Sequence, residues 1–213
     1  MKTHELIDLL ASDPMPVQRH AAARRFGLAL PLGLLMSLGL LLAGFGLRPD
    51  LAEASIQPMF WAKAGFALAM FCGALWVTLR LSRPGQAVAA AWSGLGIPLL
   101  LLWGGAAAVL WLASGDERLA MLMGRSWRSC AFSIALLSLP LMGTTFWAVR
   151  GLAPTRLRLA GASAGLLAGA AATLVYCLHC PEMDAPFWAL WYVLGLSLPT
   201  AAGVMAGPRL LRW

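Results

Sequence analysis

The chain holds four cysteines, three histidines and nine carboxylates in 213 residues. Two of the cysteines stand in suggestive company. Cys130 follows Arg125, Ser126, Trp127 and Arg128, and Cys180 lies in the run Cys177-Leu178-His179-Cys180-Pro181-Glu182. Neighbouring cationic side chains favour the thiolate form of a cysteine, and Arg125 and Arg128 supply them here. His179 adds an imidazole, while Met59, Met121, Met123 and Met183 add thioethers. Soft sulfur donors suit Cu(I) and similar metals, and Cys177 with His179 and Cys180 would make a three-ligand set. Two thiols in an oxidising compartment can instead form a disulfide, so metal binding and redox chemistry both stay open. The lone Cys-x-x-Cys is not a zinc motif, because no second pair exists. Cys72 falls midway along an apolar run and reads as a small packing residue, as does Cys177. The chain has no phosphate-binding glycine loop, no His-Glu-x-x-His and no Gly-x-Ser-x-Gly.

The elements that must position these residues are apolar. The composition is 60% hydrophobic and 12% charged, about half the charge of an ordinary soluble domain. Apolar segments occur at about 26–47, 60–79, 88–112, 129–149, 159–178 and 186–206. A spanning helix needs about 20 such residues. Within lipid only helices or closed barrels satisfy the backbone, and barrel strands would be shorter and alternating. The expected fold is therefore an all-α polytopic membrane protein with six transmembrane helices. Pro31, Pro98, Pro140 and Pro199 lie inside segments and should kink them. Gly161, Gly165 and Gly169 form a ridge that admits close approach of another helix.

Of the 16 Lys and Arg residues, only Arg48, Lys63, Arg118, Arg125 and Arg128 fall on one side of this arrangement. The rest lie in the N-terminal segment, the 80–87 and 150–158 loops and the C-terminus. Basic residues stay in the cytoplasm, so both termini are expected inside. That topology also accounts for the net charge of +7 without nucleic-acid binding. Phe60-Trp61, Trp127 and Phe187-Trp188 fall at the outer edges, where aromatic rings favour the headgroup layer. Helices four and five run in opposite directions, which brings Cys130 and Cys180 to one depth at the outer face. The spans carry almost no ionisable groups, which disfavours a transporter, a channel or an intramembrane enzyme; a thiol oxidoreductase using Cys177 and Cys180 is the remaining catalytic alternative. Two units are expected, a cytoplasmic segment over 1–25 and a transmembrane unit over 26–213. Within the first, Thr3 can cap a short helix that Asp13-Pro14 ends. Leu6, Ile7, Leu9 and Leu10 give that helix an apolar face suited to a partner's groove or to a membrane surface.

Several short motifs in order resemble the NrsF-type membrane anti-sigma factors over essentially the whole chain. They are MKTHELIDLLASDP at Met1 to Pro14, Leu47-Arg48-Pro49-Asp50-Leu51 after the first helix, Leu81-Ser82-Arg83-Pro84-Gly85 after the second, Gly124-Arg125-Ser126-Trp127 leading into Cys130, Leu152-Ala153-Pro154-Thr155, Leu178-His179-Cys180-Pro181-Glu182, Ala185-Pro186-Phe187 and Leu210-Leu211-Arg212-Trp213. The resemblance implies a bacterial inner-membrane regulator that is not an enzyme and needs no cofactor. It implies an extracytoplasmic-function (ECF) sigma factor as the cytoplasmic partner, held inactive until a periplasmic heavy-metal or oxidative signal, copper for example, relieves the inhibition. It also implies that two cysteines matching Cys130 and Cys180 take part, with no place for Cys72 or Cys177.

Overall fold

The computed structural model describes residues 3–12, 20–83 and 85–212, without the side chains of Leu6, Leu9, Leu10 and Ala11. The described residues are helical or in turns and linkers, with no strand. Six stretches are long and apolar enough to cross a membrane: Ala21–Gly44, Pro58–Leu81, Ala89–Leu112, Gly115–Arg150, Leu157–Tyr176 and Ala185–Leu210. Each overlaps one of the six expected segments.

In chain order, α1 is Thr3–Ser12, α2 Ala21–Gly44, α3 Leu51–Ala54, α4 Pro58–Leu81 and α5 Ser93–Leu112, the last entered through a 3-10 turn at Ala89–Trp92. There follow α6 at Gly115–Met123, α7 at Trp127–Arg150 and α8 at Leu157–Tyr176. The last span is composite: α9 at Ala185–Phe187, a π-helical turn at Trp188–Tyr192 and α10 at Val193–Leu210. Pro31, Pro98, Pro140 and Pro199 all lie inside helices, as expected, and α10 runs on far enough to take in Pro208 as well.

The structure extends the sequence reading at two places. The linker before α7 contains a helix of its own, α6, which begins with a capping box: Ser114 accepts from the Glu117 backbone and the Glu117 carboxylate accepts from the Ser114 N–H. Such a box satisfies two otherwise orphaned donors at a helix start. α2 begins at Ala21, ahead of the boundary expected at residue 26.

α8 is the centre of the bundle. Most of its residues are buried, and it packs on α10, α7, α4 and α2. The glycine ridge is the reason α10 comes so close. A Cβ placed on Gly161 would strike the Gly203 carbonyl, and one on Gly203 would strike that of Gly161. Without a hydrophobic drive between helices in lipid, such backbone-to-backbone packing and buried hydrogen bonds hold the bundle. Ser37 of α2 donates to the Leu137 carbonyl of α7 at 2.9 Å, and Thr145 of α7 reaches that of Ala164 on α8 at 3.4 Å. α5 sits at the edge, mostly exposed, with Leu100, Leu101, Trp111 and Leu112 facing outward.

Two expectations are corrected. Cys72 faces outward from α4 rather than packing inside the bundle. Phe60, Phe187 and Trp188 are buried inside the protein, not placed as rings at its outer edge. Of that group Trp61 is the exposed ring, with its indole N–H on the Ser55 carbonyl at 2.8 Å.

Candidate functional site

The linkers after α2 and α8, the start of α4 and the α6–α7 junction meet at one end of the bundle. Here Cys130, in the first turn of α7, meets Cys180, in the linker that follows α8. Both are fully buried, and the Cys130 thiol lies within interaction range of the Cys180 thiol and the Tyr176 hydroxyl. Cys177, just past the end of α8, is also buried. All four cysteines are free thiols.

The Cys180 linker is held from three sides. From the α2 side, the Arg48 N–H donates to the Leu178 carbonyl at 3.2 Å. The Arg48 guanidinium donates to the Cys180 carbonyl at 3.3 Å and pairs with Asp50 at 2.6 Å. That pair holds the Asp50 carboxyl down at about 2 and raises the Arg48 guanidinium. His179 contacts the Gly46 carbonyl through Nδ1 at 3.0 Å and lies between the Phe45 and Tyr176 rings.

From α4, the Lys63 ammonium donates to the carbonyls of Cys180 at 2.8 Å and Glu182 at 3.1 Å. Lys63 is fully buried. The same ammonium lies within electrostatic reach of the Cys180, Cys177 and Cys130 sulfurs.

From α7, the Glu182 carboxylate accepts the N–H groups of Arg125 at 2.7 Å and Ser126 at 3.0 Å, and the Ser126 hydroxyl at 3.1 Å. A carboxylate at a helix N-terminus satisfies orphaned donors and complements the helix dipole. Glu182 therefore fixes the turn that carries Cys130. Gly124 makes the approach workable, because its φ of +53° suits glycine and a Cβ there would collide with Glu182 and Phe187.

The π-helical turn completes the enclosure. A π turn widens the helix and re-aims its side chains, often at functional sites. Trp188 donates to the Glu182 carbonyl at 3.2 Å, and Trp191 to that of Leu122 at 2.9 Å. The Trp103 indole covers the Ala189 carbonyl at 3.1 Å. Tyr192 is fully buried and faces the Cys177 and Cys180 sulfurs, yet its hydroxyl makes no well-formed hydrogen bond.

These surroundings separate the two linker thiols. The Cys180 thiol is drawn below the ordinary range, first by its hydrogen bond with Cys130 and then by Lys63, Tyr192 and the Glu182 backbone, against the opposing effect of burial. Burial pushes the Cys177 thiol up, to about 12. Cys180 is thus the thiol this arrangement activates, and Cys130 is its contact partner.

The expected pair is brought together, but its setting differs from expectation. The cations at the sulfurs are Lys63 and Arg48, not Arg125 and Arg128; Arg128 lies over the Trp127 ring instead. Lys63 also corrects the reading of the spans as nearly free of ionisable groups, since it sits buried inside α4. Among the described residues no three or more His, Cys, Asp or Glu side chains converge to hold a metal ion. His179 is engaged with Gly46. Met121 and Met183 are half-buried on α6 and the Cys180 linker, whereas Met123 is exposed at the end of α6. Sequence reasoning missed Lys63, Glu182, Tyr176 and Tyr192. The legible signal for Lys63 was a lone charge inside an apolar run.

The apolar face expected on α1 falls largely on side chains outside the described residues, namely Leu6, Leu9 and Leu10. Ile7 is exposed.

Comparison with known proteins follows the same lines. The family described as "Negative regulator of sigma F" matches residues 10–213. The chain is 46% identical to the probable anti-sigma-F factor NrsF of Azospira oryzae and 40% identical to the anti-sigma-F factor NrsF of Caulobacter vibrioides, over the full length of both partners in each case. No solved structure matches.

Proposed function

The chain belongs to the NrsF family of negative regulators of sigma F, and from that premise we propose that it is a membrane-bound anti-sigma factor. It sequesters an ECF-type sigma factor at the cytoplasmic face of the bacterial inner membrane. It releases that factor when a periplasmic heavy-metal or oxidative signal acts on Cys130 and Cys180. The observation that carries the reading is full-length similarity to two proteins named as anti-sigma-F factors. The burial of Cys130 and Cys180 within interaction range of each other supports the sensing part. The protein binds its sigma factor directly and does not bind nucleic acid.

The test is copurification. The full chain, tagged and extracted in mild detergent, should retain a coexpressed ECF sigma factor from the same genome and lose it after peroxide or copper treatment. Absence of the sigma factor from the untreated eluate, with both proteins present in the lysate, would overturn the reading.

Orientation is part of the proposal. The basic loops, α1 and both termini lie in the cytoplasm, residues 1–25 form the partner-binding segment, and residues 26–213 form the membrane sensor. Reporter fusions at residue 84 and at the C-terminus should read as cytoplasmic, and a fusion near Asp116 as external. A cytoplasmic signal at Asp116 would refute this arrangement.

A further inference from the structure

We propose that Lys63 is a positioning residue for the thiol pair: its buried ammonium is the counter-charge of the anion that forms on Cys180, and it sets how fast the pair oxidises. This inference rests on the thiol-sensing part of the function proposed above.

A lysine enclosed in a protein keeps its charge only where polar groups or an anion offset the cost of burying it. Lys63 is fully buried, and among the described residues the ion pair present is Arg48–Asp50, which leaves Lys63 with no carboxylate. Its hydrogen bonds go to two carbonyls of the Cys180 linker; the Asp50 carboxylate within its electrostatic reach is already paired with Arg48, whose guanidinium opposes the Lys63 charge, and the other nearby groups able to carry negative charge are the sulfurs of Cys180, Cys177 and Cys130. The unmatched Tyr192 hydroxyl faces the same sulfurs. A hydroxyl proton aimed at a sulfur becomes a good hydrogen bond once that sulfur is anionic. Two independent features, an unpaired buried cation and an unpartnered buried donor, therefore converge on Cys180.

The chemistry balances with a hydroperoxide as the oxidant. The Cys180 thiolate gives an electron pair to one peroxide oxygen, the O–O bond breaks, and the departing hydroxide takes up the proton the thiol released. The product is a sulfenic acid and water. The Cys130 sulfur then attacks the Cys180 sulfur, the S–O bond breaks, and hydroxide leaves with the Cys130 proton as a second water. The two thiols lose two electrons and the peroxide gains them.

The experiment uses the full chain in detergent with hydrogen peroxide and a metal chelator, following the Cys130–Cys180 disulfide by mass spectrometry from pH 5 to 10. The wild-type rate should level off below about 8.5, the ordinary thiol value. Lys63→Gln keeps a donor for the carbonyls but removes the charge. It should slow the reaction at pH 7 by about tenfold, the factor of one pKa unit, and should recover above pH 9. Lys63→Arg should react like the wild type. A Lys63→Gln protein with the wild-type rate and pH profile would show a merely structural role and overturn the proposal. A wild-type rate that rises only near pH 8.5 or higher would also overturn it, and that measurement needs no variant to fold. The assay contains no sigma factor. Normal thiol chemistry without sigma release would therefore sink the function and spare this inference, and the reverse result would do the opposite.

Discussion

Strains carrying Cys130→Ser or Cys180→Ser should fail to switch on the sigma factor's target genes under peroxide, copper, cadmium or chromate. Serine keeps nearly the same volume, so the enclosure around α7 and the Cys180 linker stays filled. What it removes is the thiolate nucleophile and the option of a disulfide. The two sulfurs lie within interaction range of each other, and forming a bond would draw them to about 2.05 Å. That movement shifts the linker that Arg48, Lys63 and Glu182 hold. Induction in either single mutant should fall to the unstressed level, a near-total loss of response. Cys72→Ala should respond normally, because Cys72 faces out from the middle of α4. Cys177→Ala separates a two-thiol site from a three-thiol site, since its sulfur shares Lys63 and Tyr192 with Cys180. Target-gene reporters in each strain provide the readout. Full induction in the double mutant would remove these cysteines from the sensing role. Constitutive expression there would instead mean that the free thiols maintain inhibition.

The route from that end of the bundle to the other is physical. Arg48 ties the end of α2 to the Cys180 carbonyl. At the opposite end of α2, Arg25 donates to the Trp147 carbonyl of α7 at 3.3 Å and lies over the Trp147 ring. α2 thus touches α7 near its start, its following linker holds the Cys180 linker at the other end, and it follows the N-terminal segment in the chain. A signal can act through such an element only by favouring one of its arrangements over another. A Cys130–Cys180 bond would do so by changing the packing of α7 against the linker that α2 holds.

How much of this could be read from the chain depends on the range of the interaction. The spans were legible because a run of apolar residues is a local property. Segment 159–178 differs from α8 by two residues at each end, and the glycine ridge at Gly161 and Gly165 anticipated close contact with some helix, though not that it would be α10. That Cys130 and Cys180 share one end of the bundle followed from counting spans, because the two crossings between them, α7 and then α8 in the opposite direction, return the chain to the end it started from. The α6 helix carries a local signal too, the Ser114 and Glu117 of its capping box, though its short apolar content reads as a linker between spans. The rest was not local. Nothing within a few residues of Lys63 indicates the carbonyls it binds, more than 100 positions away. Glu182 reads as one more outer acid until α7 is seen to start against it. Trp188 reads as an interfacial ring until a π turn buries it, and that turn has no sequence signature beyond the packing that imposes it.

Leu6→Asp or Leu10→Asp should release the sigma factor and express its targets without any stress. The α1 backbone is helical over Thr3–Ser12, so positions 6 and 10 are one helical repeat apart and share a face. Isolated helices this short are marginal in water; a partner's groove supplies the apolar contacts that keep one folded. Burying a leucine contributes about 1.5–3 kcal/mol, and each 1.4 kcal/mol is about tenfold in affinity. Placing a carboxylate in that groove also adds a desolvation cost. One substitution should therefore weaken the complex by at least ten- to hundredfold, enough to free much of a sigma factor present at modest excess. The thiol chemistry should be untouched, because Cys130 and Cys180 lie at the far end of the bundle from α2's first turn. The decisive measurement pairs reporter expression with a membrane immunoblot. High unstressed expression with normal protein levels places the contact on α1. Unchanged repression at normal levels would move it to the basic loops around Arg80, Arg83 and Arg156, and leave α1 as a topogenic tail.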